Sequence, residues 1–457
     1  MVFYRLLEIT EGESADDLKD LLVKAFVQDH IEHYMKKWLT GYGADGDAVM
    51  MGEEGGLGKK LEQWTERRLV QVHCLAHRIN LVIRRSFDKD DALKFMFHLE
   101  SQIKAVYGFY YVGGHKRKNN MIGFLGDVKI HLSSIFEVRW VASEKKAVDK
   151  LILYYQQIMA HLTHVTTSDR FNGPTKDKAK GLLRTLNDKK IYMILHFLAD
   201  ILVTLEEASL EFQKRYGLLI QQAQNVKDLI QNLKIRAAKP GSNVLEALSK
   251  TKCGTDKCKT IEKYESKNRV HFADMDRYEF GLQTVRNSVY PKLTDVQFIM
   301  VSSLIENIRR YFPEGSLDMY QILDPKTWPN PYQTDFGLEY IHELYDLVKP
   351  PGATKQEVYT QWKRMVKAII ADEEFCKYKK DLLSFWKHYL ETPLVPNAMS
   401  ALVIRILSVP VGSADAERAF STFFHIRDKR RERLSAGHLE GRVFLFVYDL
   451  NQIDFLV

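Results

Sequence analysis

The feature that most constrains this chain lies near its end, in residues 410–450, PVGSADAERAFSTFFHIRDKRRERLSAGHLEGRVFLFVYDL. A proline and small residues come first, and Ser413 is a good helix N-cap. Apolar residues then recur at helical spacing, a basic segment follows, and a second amphipathic run ends the stretch. Glu417 falls within the first apolar run, beside Arg418. A carboxylate there is either paired in an ordinary helix or turned toward a site that needs its charge.

Length and composition indicate a globular protein. The chain has 457 residues, enough for two or three domains or for one domain with a large insertion. It has no run of 18 uncharged apolar residues and no secretory leader, so we expect a soluble, intracellular protein without a membrane partner. The four cysteines are too few to form a disulfide framework in so long a chain. A net charge of +7 suits nucleic-acid contact without demanding it.

Hydrophobic periodicity predicts an α/β start followed by a long helical middle. Strands are predicted at residues 2–9 and 69–73. Helices are predicted at 15–38 and 57–66, between the two strands, and at 75–86, after the second. Such alternation is typical of an α/β unit. Helical periodicity then dominates, with residues 190–234 long enough for two packed helices. The stretch 235–260, rich in Lys, Gly, Ser and Thr, is predicted to be a linker.

An acidic turn stands near the start of the chain. In the segment ADGDAVM, Asp45 follows a predicted strand end and lies in a glycine-rich turn. A carboxylate in such a turn can reach a hard cation without obstruction from the backbone. The alternative is a plain Asp-Gly turn in which Asp45 and Asp47 are both solvated.

Two further segments carry residue types that can bind a metal ion or stack on a nucleic-acid base. Cys74 and His77 lie three apart at a predicted helix start, but no second pair nearby completes a zinc site, so we expect Cys74 to be buried and His77 to support the adjacent strand. Arg139 and Trp140 follow a valine, and a ring beside a cation can stack on a nucleic-acid base. A core tryptophan with an arginine beside it is the alternative.

Together these segments resemble the signature of the hAT superfamily of transposases. They occur in that family's order: the acid turn, then C-x-x-H, then R-W, and much later E-R-x-F-S. The resemblance implies an RNase H-like α/β core interrupted by a large all-α insertion, predominantly helical overall. It also implies that Asp45 and Glu417 match the last two acids of a DDE nuclease site, that Trp140 and Arg139 contact nucleic acid, and that the C-terminal segment dimerises.

The resemblance also predicts a division of the chain. Residues 1–88 form the first part of the RNase H-like core, 89–395 the helical insertion, and 396–457 the dimerisation region that completes the core. Cys74, His77 and Arg418 match supporting positions of the family motifs. The expected dimerisation residues are the large apolar side chains Phe420, Phe423, Phe444, Phe446 and Val447.

One departure from the family pattern decides the expected activity. The family's first acid lies on a strand ahead of the one that residues 2–9 resemble, and no aspartate precedes Asp16 here. A two-metal nuclease needs carboxylates on both sides of its metal pair. The core is thus expected to be truncated at its N-terminus, without the first catalytic acid or the family's zinc finger. We therefore expect no certain cofactor or metal site, with Mg²⁺ required only if the chain is active.

These expectations lead to one favoured function and two alternatives. The favoured function is that of a transposase-derived nuclear protein, inactive as a nuclease, that acts through homodimerisation and DNA binding, with no small-molecule substrate. The first alternative is a fragment of an active hAT transposase that cleaves and transfers DNA strands. The second is a helical protein-interaction scaffold in which the resemblance to a nuclease is vestigial.

Overall fold

The structure is a computed structural model of the chain. It describes residues 4, 7–9, 12–89, 93–112, 115–125, 131–133, 140–214, 217–251, 293–313, 315–329, 333, 336–350, 352–413 and 416–418. Two strands are described, β1 (Gly41–Ala44) and β2 (Val70–His73). The helices up to residue 167 are α1 (Ala15–Gln28), α2 (Glu32–Trp38), α3 (Ala48–Met51), α4 (Leu57–Thr65), α5 (Leu75–Lys89), α6 (Lys94–Tyr111), α7 (His115–Leu125), α8 (Trp140–Leu153) and α9 (Tyr155–Thr167).

The rest of the described chain is helical, which confirms the prediction of a predominantly helical protein. A short 3-10 helix spans Pro325–Thr327. The remaining α-helices are α10 (Gly173–Leu186), α11 (Lys189–Phe212), α12 (Leu219–Ala238), α13 (Ser242–Thr251), α14 (Leu293–Tyr311), α15 (Asp318–Gln321), α16 (Leu338–Val348), α17 (Lys355–Ile370), α18 (Phe375–Tyr378), α19 (Leu382–Leu390) and α20 (Asn397–Leu407).

The chain divides into two compact units. The first comprises Met1–Arg78, Ser209–Lys227 and Phe312–Val457, and the second comprises Ile79–Ala208 and Asp228–Tyr311. None of the helices in the described part of the chain is both long and apolar enough to cross a lipid bilayer.

The first unit contains a small parallel sheet. Strand β1 pairs with β2 so that Gly41 lies opposite Val70 and Ala44 lies opposite His73. Residues Leu57, Leu61 and Leu69 form a buried cluster beside this sheet, because α4 turns its apolar side inward. These are the two strands that the structure describes, and a larger RNase H-like core stays a prediction.

The sheet is attached to α20 by a buried arginine. The Arg405 guanidinium donates to the Thr40 hydroxyl at 3.2 Å and to the Lys37 carbonyl at 3.0 Å, and it lies over the Trp38 ring. Lys37 is in the last turn of α2, where unpaired carbonyls favour a cation. Burial lowers the pKa of Arg405 to about 10, and the nearby Arg67 adds to this, so the side chain still carries its charge at neutral pH.

Aromatic side chains form the core of the helical part of this unit. The indole N–H groups of Trp328, Trp362 and Trp386 donate to the carbonyls of Ile322, Phe336 and Leu323, respectively. Because each buried donor has an acceptor, the rings contribute their apolar area without leaving an unpaired polar group.

Buried polar side chains connect helices of the second unit. His161 lies 3.1 Å from the Tyr110 hydroxyl through Nδ1 and 3.1 Å from Asn120 Oδ1 through Nε2, which joins α6, α7 and α9. Burial lowers the pKa of His161 to about 3, and His164 adds to this, so the ring is neutral. A neutral imidazole carries one donor and one acceptor, and the two partners satisfy both.

Three sequence predictions about elements need correction. Residues 15–38 form two helices because His30 adopts a left-handed conformation with φ of 57° after α1 ends. Within residues 2–9, only Tyr4 and residues 7–9 are described, and they are not in a strand. The predicted linker at 235–260 contains helix α13. The prediction of two helices within 190–234 is confirmed, because α11 ends at residue 212 and α12 begins at residue 219.

Candidate functional site

The acid turn follows the end of β1. Asp45 is exposed and comes directly after Ala44, the last residue of the strand. Asp47 has a structural task, because its carboxylate accepts from the Val49 N–H at 2.9 Å and caps α3. Asp45 has no such cap among the described contacts, and its match to the family's acid stays a prediction.

The end of β2 and the start of α5 lie beside this turn. The Cys74 N–H donates to the Ala44 carbonyl at 2.7 Å, which ties the start of α5 to the end of β1. His73 packs so closely on Gly46 that a Cβ at residue 46 would lie 2.4 Å from its ring. Cys74 is buried, as expected from the sequence, and its supporting role stays a prediction.

His73 is a member of this site that sequence reasoning missed. Its Nε2 is buried and has no hydrogen-bond partner among the described residues, and its ring centroid lies 5.4 Å from that of His77. Burial lowers the pKa of His73 to about 4, with smaller contributions from the positive charge of Arg78 and from His77. The ring is therefore neutral at physiological pH. Its place opposite Ala44 in the sheet register could have been found only by pairing the two strands.

The segment that leads to Glu417 crosses this same region. A Cβ on Gly43 would lie 2.9 Å from Pro410 Cγ, so the absence of a side chain in β1 lets the segment approach the sheet. Further along, a Cβ on Gly412 would lie 2.8 Å from Cys74 Sγ. The Leu75 N–H points to the Val411 carbonyl at 3.4 Å, a long contact. Residues 409–412 are thus held against β1 and the start of α5.

Glu417 lies in a short helical stretch, residues 416–418. The Glu417 N–H donates to the Ser413 carbonyl at 2.9 Å, and the Ser413 hydroxyl donates to Glu417 Oε1 at 3.0 Å. Arg418 points elsewhere, because its Nη1 donates to the Gln213 carbonyl at 2.9 Å. The Glu417 side chain is exposed, and the bond from Ser413 uses only one of its two carboxylate oxygens.

These contacts bring the chain neighbourhoods of the two matched acids to one end of the sheet. Asp45 follows Ala44, Ala44 bonds to Cys74, Cys74 packs on Gly412, and Glu417 lies five residues beyond. A meeting of the two carboxylates themselves stays a prediction. Within the described ranges, no three His, Cys, Asp or Glu side chains are grouped so as to hold a metal ion. The two acids alone do not fit a two-metal centre.

Several predicted residues lie outside the described part of the chain. Arg139 is one of them, and Trp140 is described only as the first residue of α8, without its side chain. The predicted dimerisation residues Phe420, Phe423, Phe444, Phe446 and Val447 also lie outside the described residues. Their roles stay predictions.

The described helices before residue 413 present a buried side and an exposed side. In α19, Phe385, Trp386 and Tyr389 are buried, whereas Leu383 is exposed. In α20, Met399, Leu402, Val403 and Ile406 are buried, whereas Ile404 is 54% exposed. The inner side packs in its own unit, and the outer side leaves large apolar groups on the surface.

These helices fall within a segment that a known family shares. Residues 367–446 match the family model described as the hAT family C-terminal dimerisation region. The match includes α19 and α20, the segment 409–413, Glu417 and Arg418, as well as four of the five apolar residues predicted to form the dimer contact. Residues 367–446 are thus similar to the C-terminal dimerisation region of the hAT family, and this similarity supports a transposase-related protein that dimerises.

Proposed function

We propose that this protein is a transposase-derived nuclear factor that acts as a homodimer, associates with DNA and does not cleave it. The observation that carries the proposal is the match of residues 367–446 to a dimerisation region. A chain that retains a dimerisation region and a basic charge balance keeps two properties that assembly on DNA requires.

The exposed side of the matched region supports self-association. Leu383 and Ile404 both lie within residues 367–446 and both are exposed, although each belongs to a helix whose other side is well packed. Burial of one such side chain in an interface contributes about 1.5–3 kcal/mol. A second copy of the chain would cover these groups symmetrically, so each would contribute twice.

A matched pair of substitutions tests this surface. Ile404→Ser should weaken the dimer at least tenfold, because it removes one apolar contact from each subunit. Leu245→Ser is the control, because Leu245 is equally exposed at 54% but lies in α13, outside residues 367–446. The measurement is the dimer dissociation constant from sedimentation equilibrium. Equal dissociation constants for both variants and the wild type would exclude Ile404 from the interface.

The proposed lack of nuclease activity rests on the number of carboxylates available to bind metal ions. The two matched acids, Asp45 and Glu417, supply too few carboxylates for a two-metal site. The purified chain should therefore leave supercoiled plasmid DNA uncut in the presence of Mg²⁺ or Mn²⁺. Metal-dependent nicking that disappears in Glu417→Ala would contradict this and would favour an active transposase whose missing ligand comes from another residue.

A further inference from the structure

The second unit carries an aromatic surface that the proposed dimer does not use. Tyr107 and Tyr111 lie one turn apart on α6, and their rings stack in parallel, with centroids 4.9 Å apart and planes at 3°. Both rings are partly exposed. Within the part of the chain that the structure describes, no ring other than Tyr111 contacts Tyr107. Tyr111 therefore covers one side of Tyr107, and the Tyr107 ring is still partly exposed.

A third tyrosine lies close by. Tyr154, at the junction of α8 and α9, is partly exposed and is near enough to Tyr111 to affect its titration. Burial raises the pKa of Tyr111, the hydrogen bond from the Leu132 N–H opposes this, and Tyr107 and Tyr154 add smaller upward contributions. An exposed apolar residue lies next to each of these two tyrosines in the sequence. Val112, after Tyr111, is 68% exposed, and Leu153, before Tyr154, is 59% exposed.

Two lysines accompany these rings. The Lys118 ammonium lies 4.8 Å from the centroid of Tyr111, and the Lys150 ammonium lies 5.9 Å from the centroid of Tyr154. Neither forms an ion pair with a carboxylate among the residues that the structure describes. An ammonium over an aromatic face keeps most of its donors, so both can accept an anionic partner.

Three other described charged groups near this surface have partners of their own, namely Arg117, Glu100 and Asp149. Arg117 donates to the carbonyls of Phe109 and Val112 at the end of α6, so its guanidinium fixes α7 to α6. Glu100 pairs with Lys104 at 2.6 Å, and Asp149 pairs with Lys145 at 2.8 Å. The two acids are therefore neutralised by their own partners and do not offset Lys118 and Lys150.

We infer that Tyr107, Tyr111, Tyr154, Lys118 and Lys150, named here the tyrosine–lysine surface, bind single-stranded nucleic acid. In this inference a base stacks on the side of Tyr107 opposite Tyr111 and extends the parallel tyrosine pair, while the lysines contact the phosphates on either side. Stacking suits every base because each has a π face, so the binding is independent of sequence. The inference extends the nucleic-acid association proposed above and assigns it to the second unit.

A comparison of base-bearing and abasic strands tests the stacking. The full chain is titrated into a fluorescent 12-nucleotide DNA strand and into an abasic strand of the same length, and anisotropy is recorded. Tyr107→Leu should weaken binding to the base-bearing strand about tenfold, which corresponds to about 1.4 kcal/mol. The same variant should leave binding to the abasic strand unchanged. Tyr107→Phe, which keeps the ring, should bind like the wild type.

The lysines are tested through the salt dependence. Lys118→Ala should make the plot of log K against log[salt] less steep by about 0.7, the slope expected for one phosphate contact on a single strand. The control is Lys180→Ala, because Lys180 is an exposed lysine of the same unit that pairs with Asp177 rather than with a ring. It should leave the slope unchanged. Strands of DNA and RNA are compared to learn which sugar is preferred.

Three outcomes would overturn the inference: no binding by the wild type, equal affinity for base-bearing and abasic strands, or wild-type affinity of Tyr107→Leu for the base-bearing strand. Circular dichroism of each variant verifies that it is folded. The molar mass of Tyr107→Leu by light scattering should equal that of the wild type. A failure of the proposed dimer would change that mass for every variant and leave strand binding measurable, so the two failures are distinguishable.

Discussion

At the scale of single residues, Cys74 contributes through its packing against Gly412. Its side chain is buried, and its sulfur lies where only a glycine at residue 412 leaves room. The same contact holds the segment that leads to Glu417 against the strand ends. The sequence predicted a buried Cys74, but nothing in the sequence linked it to Gly412, because the two are more than 300 residues apart.

Gly412→Ala should destabilise the protein by about 1–3 kcal/mol, since the new methyl group would overlap the sulfur of Cys74. Removal of that sulfur should relieve the clash, so the double variant with Cys74→Ala should lose less than the sum of the single variants. The measurement is urea denaturation. Gly181→Ala is the control, because nothing lies within 4 Å of its added Cβ. Additive losses in the double variant would contradict the contact.

Glu144 is a buried acid with one unpaired carboxylate oxygen. It is buried in α8, and Oε2 has no hydrogen-bond partner among the described residues. Burial raises its pKa well above the usual value, Glu100 adds to this, and Lys104 opposes it. The folded state therefore holds a proton that the unfolded state releases above a pH of about 4.5.

This predicts that the free energy of unfolding falls as pH rises above about 4.5, because the folded state binds more protons than the unfolded state. The fall is at most about 1.4 kcal/mol per pH unit for one group, and it ends at the raised pKa of Glu144. Glu144→Gln should remove this component when unfolding is measured from pH 5 to 8. Glu207→Gln, at an exposed acid of the same unit, should leave it unchanged. An unaltered pH profile in Glu144→Gln would contradict a buried neutral acid.

At the scale of elements, helix α13 depends on a contact that its own sequence does not reveal. Its composition predicts a linker, yet residues 242–251 are helical. The Asp200 carboxylate, from the middle of α11, accepts from the backbone N–H groups of Asn243 and Val244, both at 3.1 Å. A cap supplied from about 40 residues away satisfies the helix start that the local sequence leaves open.

Asp200→Ala should therefore release the start of α13. The buried N–H groups would lose their acceptor, at a cost of about 1–3 kcal/mol. Hydrogen exchange of residues 242–251 should accelerate more than that of α10. Asn243→Ala is the control, because it removes only the side-chain bond to Asp200 and keeps both backbone bonds. Unchanged exchange in Asp200→Ala would show that α13 does not depend on this cap.

At the scale of the whole molecule, hydrophobic periodicity predicted most of the helices. The arrangement of the candidate site depends instead on contacts between residues far apart in the sequence. The break between α11 and α12 could be predicted because Gly217 interrupts two apolar runs. The single helix predicted at 15–38 was wrong because one left-handed residue, His30, carries no strong sequence signal. Asp45 and Glu417 were found from motifs. His73, Gly43 and Gly412 were missed because their roles depend on strand pairing and close approach.

Self-association is the property on which the proposed function depends. The matched region combines exposed Leu383 and Ile404 with the large apolar residues of 420–446. Two apolar side chains from each subunit, at about 2 kcal/mol apiece, offer about 8 kcal/mol before the cost of association. A gain of that size equals a micromolar dissociation constant only before the association cost, so a micromolar dimer must bury more than two apolar side chains per subunit.

The molar mass of the full chain in solution tests this claim most directly. Size-exclusion chromatography with light scattering, at tens of micromolar protein and physiological salt, should give twice the 53.2 kDa of one chain. The mass should fall toward that of one chain in Ile404→Ser and in Phe444→Ser while each variant stays folded. A wild-type mass of one chain at tens of micromolar would contradict the account.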